Sequence, residues 1–349
     1  MNDHTERERE RLVHRVGSNK LHKEVYHSEH YKKWVASRTK NYKEYREMWR
    51  QACEKSEDYG YPLYIVIETS AICNLKCPMC PLILQHKNAG KHSKFFPYDL
   101  FCRIVDEASE IGVRSLSLNG LGEALMNPRF VDMARYAKQK GILDVMVTTN
   151  GTLLTEKMAE DIIEAGVDSV AFSFDSPDKE IYEEIRIGAV FEDVISNMKK
   201  FYETRKKIGS VNPITRLNII DFPEYRQPLP KILSMFEDII DIIVYVTLLD
   251  ESKDWSYLKN HKDKIHFACY QASTRIFINV DGNVAPCCYD FDNNCIKLEN
   301  IKNTTLKKTW NNPKAKAFRK LHQDYRWYDN KQCSQCCIPA YATGFAQND

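Results

Sequence analysis

Seven cysteines carry most of the chemistry legible in this chain. Cys73, Cys77 and Cys80 fall in the loop C-N-L-K-C-P-M-C-P, three and then two residues apart, directly after the apolar run Leu63 to Ile67. Three thiolates so close together reach three corners of one iron–sulfur cube, and no residue of the loop supplies a fourth. Because cysteine is the usual cluster ligand, one iron is left open to a small molecule. Half of a four-ligand zinc site, or disulfide thiols, are the plain alternatives. Much later, Cys269, Gly282 and Cys287 stand in the pattern Cys-x12-Gly-x4-Cys, followed by Cys333-x2-Cys336. Four thiolates in two pairs suit a second cluster, or again zinc.

The elements that must position these groups follow a regular rhythm. Strand patterns cover Leu63–Glu68, Arg114–Asn119, Leu143–Thr148, Ser169–Phe174, Thr215–Ile220 and Ile242–Thr247, separated by amphipathic helical stretches. Gly112, Gly141 and Gly166 follow three of those helices, where a left-handed cap favours glycine. Six strand–helix units imply a parallel sheet with right-handed crossovers. Residues 1–60 are rich in Lys, Arg and Glu and read as a helical extension, with Tyr42, Tyr45 and Trp49 on one helical face. Residues 251–349 form a third segment, which opens with a polar linker and then shows a hairpin signal at Asp281-Gly282.

The spacing of the first loop, after a first strand, resembles the radical S-adenosylmethionine (AdoMet) superfamily. The later cysteines resemble the single-cluster "twitch" form of its SPASM accessory domains. The resemblance implies a partial (β/α)6 TIM-like barrel over residues 61–250, an α/β fold, with a small C-terminal domain that holds an auxiliary [4Fe-4S] cluster. It also implies that AdoMet occupies the open iron of a [4Fe-4S] cluster on Cys73, Cys77 and Cys80 and is cleaved to a 5′-deoxyadenosyl radical. Met79 stands where the family usually has an aromatic residue.

Further AdoMet contacts are implied at the strand ends. The stretch N-G-L-G-E-A resembles the family's Gly-Gly-Glu motif, with Leu121 in place of the first glycine; Gly122 and Glu123 would hold the methionyl amino group. Thr148, Asn150, Ser173, Asp175 and Arg186 are the corresponding candidates for the ribose and carboxylate. Asn150-Gly151 also reads as an ordinary turn, Asp175 as a helix cap and Arg186 as a surface ion-pair residue. Cys288 and Cys337 adjoin the auxiliary pairs, and a thiol near a radical can donate hydrogen. Arg216, Asn218 and Asp250 are candidates for the substrate.

Composition bounds the rest. The chain has 349 residues, a net charge of +2, 43% hydrophobic and 28% charged residues and twelve cysteines. No charge excess draws it to nucleic acid, and no apolar run is long enough to span a bilayer. The cysteine count without an export signal points to metal ligation in a reducing cytoplasm. The expected partners are a sugar- or aminocyclitol-like small molecule and a flavodoxin- or ferredoxin-type electron donor, with a homodimer as a further expectation. The expected reaction is dehydrogenation or epimerisation of that substrate, with the auxiliary cluster as electron acceptor. Peptide maturation is the second reading and a zinc-bound structural protein the third.

Overall fold

The computed structural model describes residues 22–82, 94–222, 225, 228–247, 254–287, 290 and 295–343. Cys288 and Asp250 lie outside the described residues. The elements run β1 (His22–His27), α1 (Glu29–Ser37), α2 (Lys40–Lys55), β2 (Tyr64–Ile67), α3 (Tyr98–Ile111), β3 (Ser115–Ser117), α4 (Phe130–Gln139), β4 (Asp144–Thr149) and α5 (Glu156–Glu164). They continue with β5 (Ser169–Ser173), α6 (Lys179–Ile185), α7 (Phe191–Ile208), β6 (Ile214–Asp221), α8 (Leu229–Phe236) and β7 (Ile242–Thr247). The C-terminal part adds α9 (Tyr270–Thr274), β8 (Arg275–Ile278), β9 (Val284–Ala285), α10 (Leu306–Trp310), α11 (Pro313–Gln323) and α12 (Ile338–Thr343).

Among the described residues the strands join one sheet of nine, in the order β1-β7-β6-β5-β4-β3-β2-β8-β9. Strands β2 to β7 are the six parallel strands expected from the sequence, and their helices cover the outer face. That face buries Ile65, Ile67, Leu116, Val147, Phe172 and Leu217 against Phe101, Ile104, Met133, Ile162 and Phe201. The barrel stays open, since its end strands β1 and β9 do not meet.

Two features depart from the expected outline. The N-terminal extension is not wholly helical: β1 pairs antiparallel with β7 across a register shift at Glu24/Tyr26. Its sequence, H-K-E-V-Y-H, has no period of its own, and the free edge of β7 recruits it. Strand β8, expected in a separate C-terminal module, instead pairs in parallel with β2 from Tyr64↔Arg275 to Ile67↔Ile278.

The inner face is filled from the N-terminal side. Tyr31 and Trp34 of α1 lie against Ile214, Ile242 and Val244, while Tyr45, Trp49 and Ala52 of α2 lie against Leu63, Tyr64 and Val66. Rings follow one another from Trp34 through Tyr42, Tyr45 and Trp49 to Tyr64 with centroids 5.5–6.3 Å apart. Such pairs add about 0.5–1.5 kcal/mol each beyond their buried area.

Asp144, at the start of β4, is buried on this side, and Ser115 Oγ donates to it at 3.4 Å. Burial, and then the charge of Asp168, push its carboxyl up to about 6. Its folded pKa lies above that of an unfolded aspartate at about 3.9, so its stabilising effect is full in acid and is lost as pH rises through about 6. Asp144→Asn, which cannot ionise, should therefore gain melting temperature relative to the parent between about pH 4 and 6.5. A difference in melting temperature that stays flat over that range contradicts this account of Asp144.

Candidate active site

The loop from Glu68 to Cys80 leaves the carboxyl end of β2, where (β/α) barrels gather their chemistry. It has little regular structure of its own, so its shape comes from its neighbours. Ile72 O accepts from Glu123 N at 2.9 Å, and Thr69 O accepts from Phe96 N at 3.0 Å and Asn127 Nδ2 at 2.7 Å. A Cβ on Gly122 would lie 2.3 Å from Ser70 O and 2.6 Å from Ile72 O, and one on Gly120 would lie 2.4 Å from Glu68 Cγ. The glycines of the N-G-L-G-E stretch are thus required by close approach to the cysteine loop itself.

Glu123 is buried, and its oxygens accept from Leu125 N (3.1 Å), Thr149 Oγ1 (2.8 Å) and Asn150 N (2.8 Å). Burial pushes its pKa up, opposed by these donors. Three of roughly four acceptor positions are used, which leaves room for one more donor. Asn150 Nδ2 reaches Asn74 Oδ1 at 3.0 Å and lies 3.8 Å from Cys73 Sγ, while Asn74 Nδ2 donates to Thr152 Oγ1 at 2.7 Å. The end of β4 therefore holds the first cysteine.

The end of β5 holds the second. Arg186 Nε donates to Asp175 Oδ2 at 2.6 Å, and Asp175 Oδ1 accepts from Ile220 N at 3.0 Å. Arg186 Nη1 lies 4.0 Å from Cys77 Sγ, and Lys76 N donates to Ile187 O at 2.9 Å. Asp175 is not the cap of α6; Asp178 takes that place, accepting from Ile181 N. Arg186 is likewise no surface ion-pair residue, since its side chain is 13% exposed beside a carboxylate at 0%. Burial pushes the Cys73 and Cys77 thiols up, opposed at Cys73 by the Leu75 N–H and at Cys77 by Arg186. A cation beside Cys77 favours the thiolate that a metal requires.

The structure thus gathers Gly122, Glu123, Asn150, Asp175 and Arg186 around the three cysteines. Thr148 and Ser173 lie on the inner face instead, with Asn218 next to Ser173 in the β5–β6 register. The hydroxyl that meets Glu123 belongs to Thr149, one position from the residue expected, because alternation along β4 turns Thr148 the other way. Arg216 is paired with Glu24 of β1 at 3.5 Å. Sequence reasoning also missed Glu68 and Asn127, polar residues outside any motif, and Asn74, which lies inside the cysteine motif between two of its sulfurs.

The second cysteine set assembles where α9, α11 and the chain end meet. Cys269 and Cys333 share an apolar contact with Ala272, Cys295 and Phe318, and Cys269, Cys333 and Cys336 border a small apolar core of Trp255, Leu258, Trp327 and Ile338. Cys337 is 3% exposed inside that small core, which gives it the surroundings of an apolar filler rather than those of a hydrogen donor. Among the described residues the cysteines are free thiols, so no disulfide competes for them. Thiols are thus brought together in two places, the strapped three-thiol loop beside Glu123 and a buried gathering near Cys333, although among the described residues no three His, Cys, Asp or Glu side chains converge on a single metal-ion position.

Residues 67–225 match the model of the Radical SAM superfamily, and residues 269–337 match that of SPASM, an iron–sulfur cluster-binding domain. The chain is a radical SAM enzyme with a C-terminal SPASM domain, and this class implies a [4Fe-4S] cluster that binds AdoMet together with auxiliary iron–sulfur binding. It is 26% identical over 316 residues to the tungsten-containing aldehyde ferredoxin oxidoreductase cofactor-modifying protein of Pyrococcus furiosus, 78% of this chain and 87% of that protein. BtrN in complex with AdoMet and 2-DOIA superposes with a TM-score of 0.51 at 18% identity, over 80% of this chain and 94% of that one. Streptococcus suis SuiB bound to S-adenosylmethionine gives 0.57 at 17% identity, over 83% and 75%. At such identities the structural likeness speaks for the fold. Among the described residues no helix is long and apolar enough to cross a membrane.

Arg186→Ala should leave Asp175 as a buried charge without its partner, at a cost of about 3–5 kcal/mol. Denaturant unfolding of the anaerobically loaded protein measures this, and iron content per chain should fall with it. A loss under about 1 kcal/mol would show that the pair does not brace the loop.

Proposed function

We propose that this enzyme oxidises a secondary alcohol of a small, hydroxyl-rich organic molecule to a ketone. One observation carries the reading. The inner face of the sheet offers half-buried hydroxyl and amide groups at Ser173 and Asn218, which are register partners on β5 and β6, and at Thr148, which pairs with Ala171 two residues before Ser173. Side chains of this kind pair with hydroxyls by donating and accepting at once. The aromatic residues of α1 and α2 fill the same face further down, which leaves its polar groups at the strand ends.

AdoMet on the front cluster would supply hydrogen-abstracting radical chemistry and an auxiliary cluster a sink for one electron, so that an alcohol would lose one hydrogen atom, one proton and one electron in becoming a ketone. The protein's part is to bind and orient. Cys73, Cys77 and Cys80 would hold the front cluster. Glu123 would accept from the methionyl ammonium with its remaining acceptor site, while Asn150 braces Cys73 and Asn74 beside it. The Asp175–Arg186 pair fixes the far side of the loop, and Ser173 and Asn218 would set the substrate carbon in line. Cytoplasmic residence, and a flavodoxin or ferredoxin as donor, complete this reading.

Two comparisons support a small substrate. The Pyrococcus relative is by name a cofactor-modifying protein, and BtrN was crystallised with AdoMet and 2-DOIA. A peptide is the second reading, favoured by the fold shared with SuiB bound to its precursor peptide SuiA, at a TM-score of 0.53.

Anaerobic reconstitution with AdoMet and a panel of cyclitols, aminocyclitols and sugars tests the proposal by mass spectrometry. The expected result is one 5′-deoxyadenosine released for each ketone formed. Deoxyadenosine release far below product formation would overturn the oxidation, because the radical would then be regenerated.

A further inference from the structure

The inner face of the sheet carries more cation than anion. Arg216 precedes Asn218 by two residues on β6, so the two share that face. Arg216 Nη2 lies 3.5 Å from Glu24 Oε1 of β1, and both side chains are half-buried and reached by water. A bonded guanidinium–carboxylate pair runs at roughly 2.7–2.9 Å, so this contact is loose. The other oxygen of Glu24 meets His27 Nε2 at 2.9 Å. Arg216 is therefore only partly neutralised.

Two further guanidinium groups belong to the same side. Arg275, paired with Tyr64 at the start of β8, stands over the rings of Tyr64 (4.7 Å), Trp49 (5.1 Å) and Tyr270 (5.1 Å). Arg46 of α2 lies 5.8 Å from the centroid of that same Trp49 ring. Stacking uses the face of a guanidinium and leaves its in-plane N–H donors. Among the described residues, Arg275 Nε is buried without a hydrogen-bond partner.

These charges converge. His22, paired with Val246 of β7, is open to solvent. Even so, the protein crowding it, and then the charges of Arg216 and Arg275, push its imidazole down to about 4, against a weaker pull from Glu24. Burial pushes the Tyr64 phenol up, and Arg275 and Arg216 both oppose that rise. In the sheet, β6 and β8 are separated by β5, β4, β3 and β2. Two guanidinium groups that act on one imidazole and one phenol must therefore approach across the concave side. Arg46, Arg216 and Arg275 outweigh Glu24 and Asp144 there, and concave walls of low dielectric focus such a field.

We propose that the substrate bears an anionic oxygen group, a phosphate or a carboxylate, held between Arg216 and Arg275 on the inner face. The inference rests on that face being the substrate's side of the sheet, as in the function proposed above, and it narrows the substrate to acidic derivatives of hydroxyl-rich molecules. Asn218 and its register partner Ser173 lie about 6.6 Å further along their strands than Arg216 and its partner Ala171, so one small molecule can span both sets of groups.

Equilibrium dialysis tests this on the full-length, anaerobically loaded protein with AdoMet present, using radiolabelled glycerol phosphate, glycerate and glycerol. At least one of the two anions should bind saturably and glycerol should not; the anion that binds tells phosphate from carboxylate. Arg216→Gln should weaken that binding about tenfold or more, and Arg216→Lys less. Glu24→Gln should tighten it about two- to fivefold, because it frees Arg216. A pair that merely braced the barrel would not give this gain, and the measurement stands even where Arg216→Gln fails to fold. Binding of neither anion, glycerol held as tightly as the anions, undiminished binding in folded Arg216→Gln, or weaker binding in Glu24→Gln overturns the proposal. Dialysis reads binding without turnover, so an anion held by Arg216 with no ketone formed from any polyol would sink the oxidation alone and support this inference.

Discussion

A loop that offers three thiols to one metal group has only short turns of its own, at Ser70–Ile72, Cys73–Leu75 and Cys77–Cys80, and the rest of the barrel mouth must hold it in place. The backbone carbonyls of Thr69, Ser70 and Ile72 face the stretch after β3, so that stretch must lie within van der Waals contact and cannot carry a Cβ at Gly122. Asn150 and Asn74 fasten the loop at Cys73, and Arg186 fastens it at Cys77. Asn150 directly follows β4, and Arg186, just past α6, is held by Asp175 after β5. The spacing of the sulfurs is therefore a property of the sheet, whose parallel register fixes where its strand ends lie.

Glu68 extends that order to the C-terminal part. Its Oε1 accepts from Leu121 N at 3.1 Å and its Oε2 from Val280 N at 3.2 Å, while its own N–H donates to Ile278 O at 2.9 Å. One carboxylate thus ties the stretch that braces the front loop to the end of β8. Further down, Asp58 accepts from Trp310 Nε1 at 2.8 Å and Arg319 Nε at 2.9 Å, tying α10 and α11 to the segment before β2. The two cysteine-rich regions are built on adjacent strands of one sheet, so their separation is set by strand pairing rather than by a linker.

Much of this was legible in the sequence, and the reasons for the rest are specific. The six parallel strands and their helices follow from apolar periodicity, which reports on local burial. The cysteine pairs follow from spacing. Strand β1 carries no such period and exists because β7 would otherwise leave an edge unpaired, a fact about distant residues. Thr148 and Thr149 are adjacent and chemically alike, so only the register of β4 decides which one meets Glu123. Along α11 the pattern suggests a buried Leu321, whereas His322 is buried at 3% because it sits between Cys269 and Cys333. A polar residue on an apolar face is the signal that was there to be read.

The filling of the inner face bears on how such an open barrel works. Strands β1 and β9 do not close on one another, so water could enter the sheet's concave side along its whole length. The aromatic file from Trp34 to Tyr64 takes up the amino-terminal half of that side, where the strands begin. What stays polar is the half beside the cysteine loop, where Thr148, Ser173 and Asn218 lie. A reactive intermediate at the strand ends is protected by the same aromatic residues that hold the N-terminal segment in place, because they deny solvent a route from below. Core packing and protection of the chemistry are in that respect one property of α1 and α2.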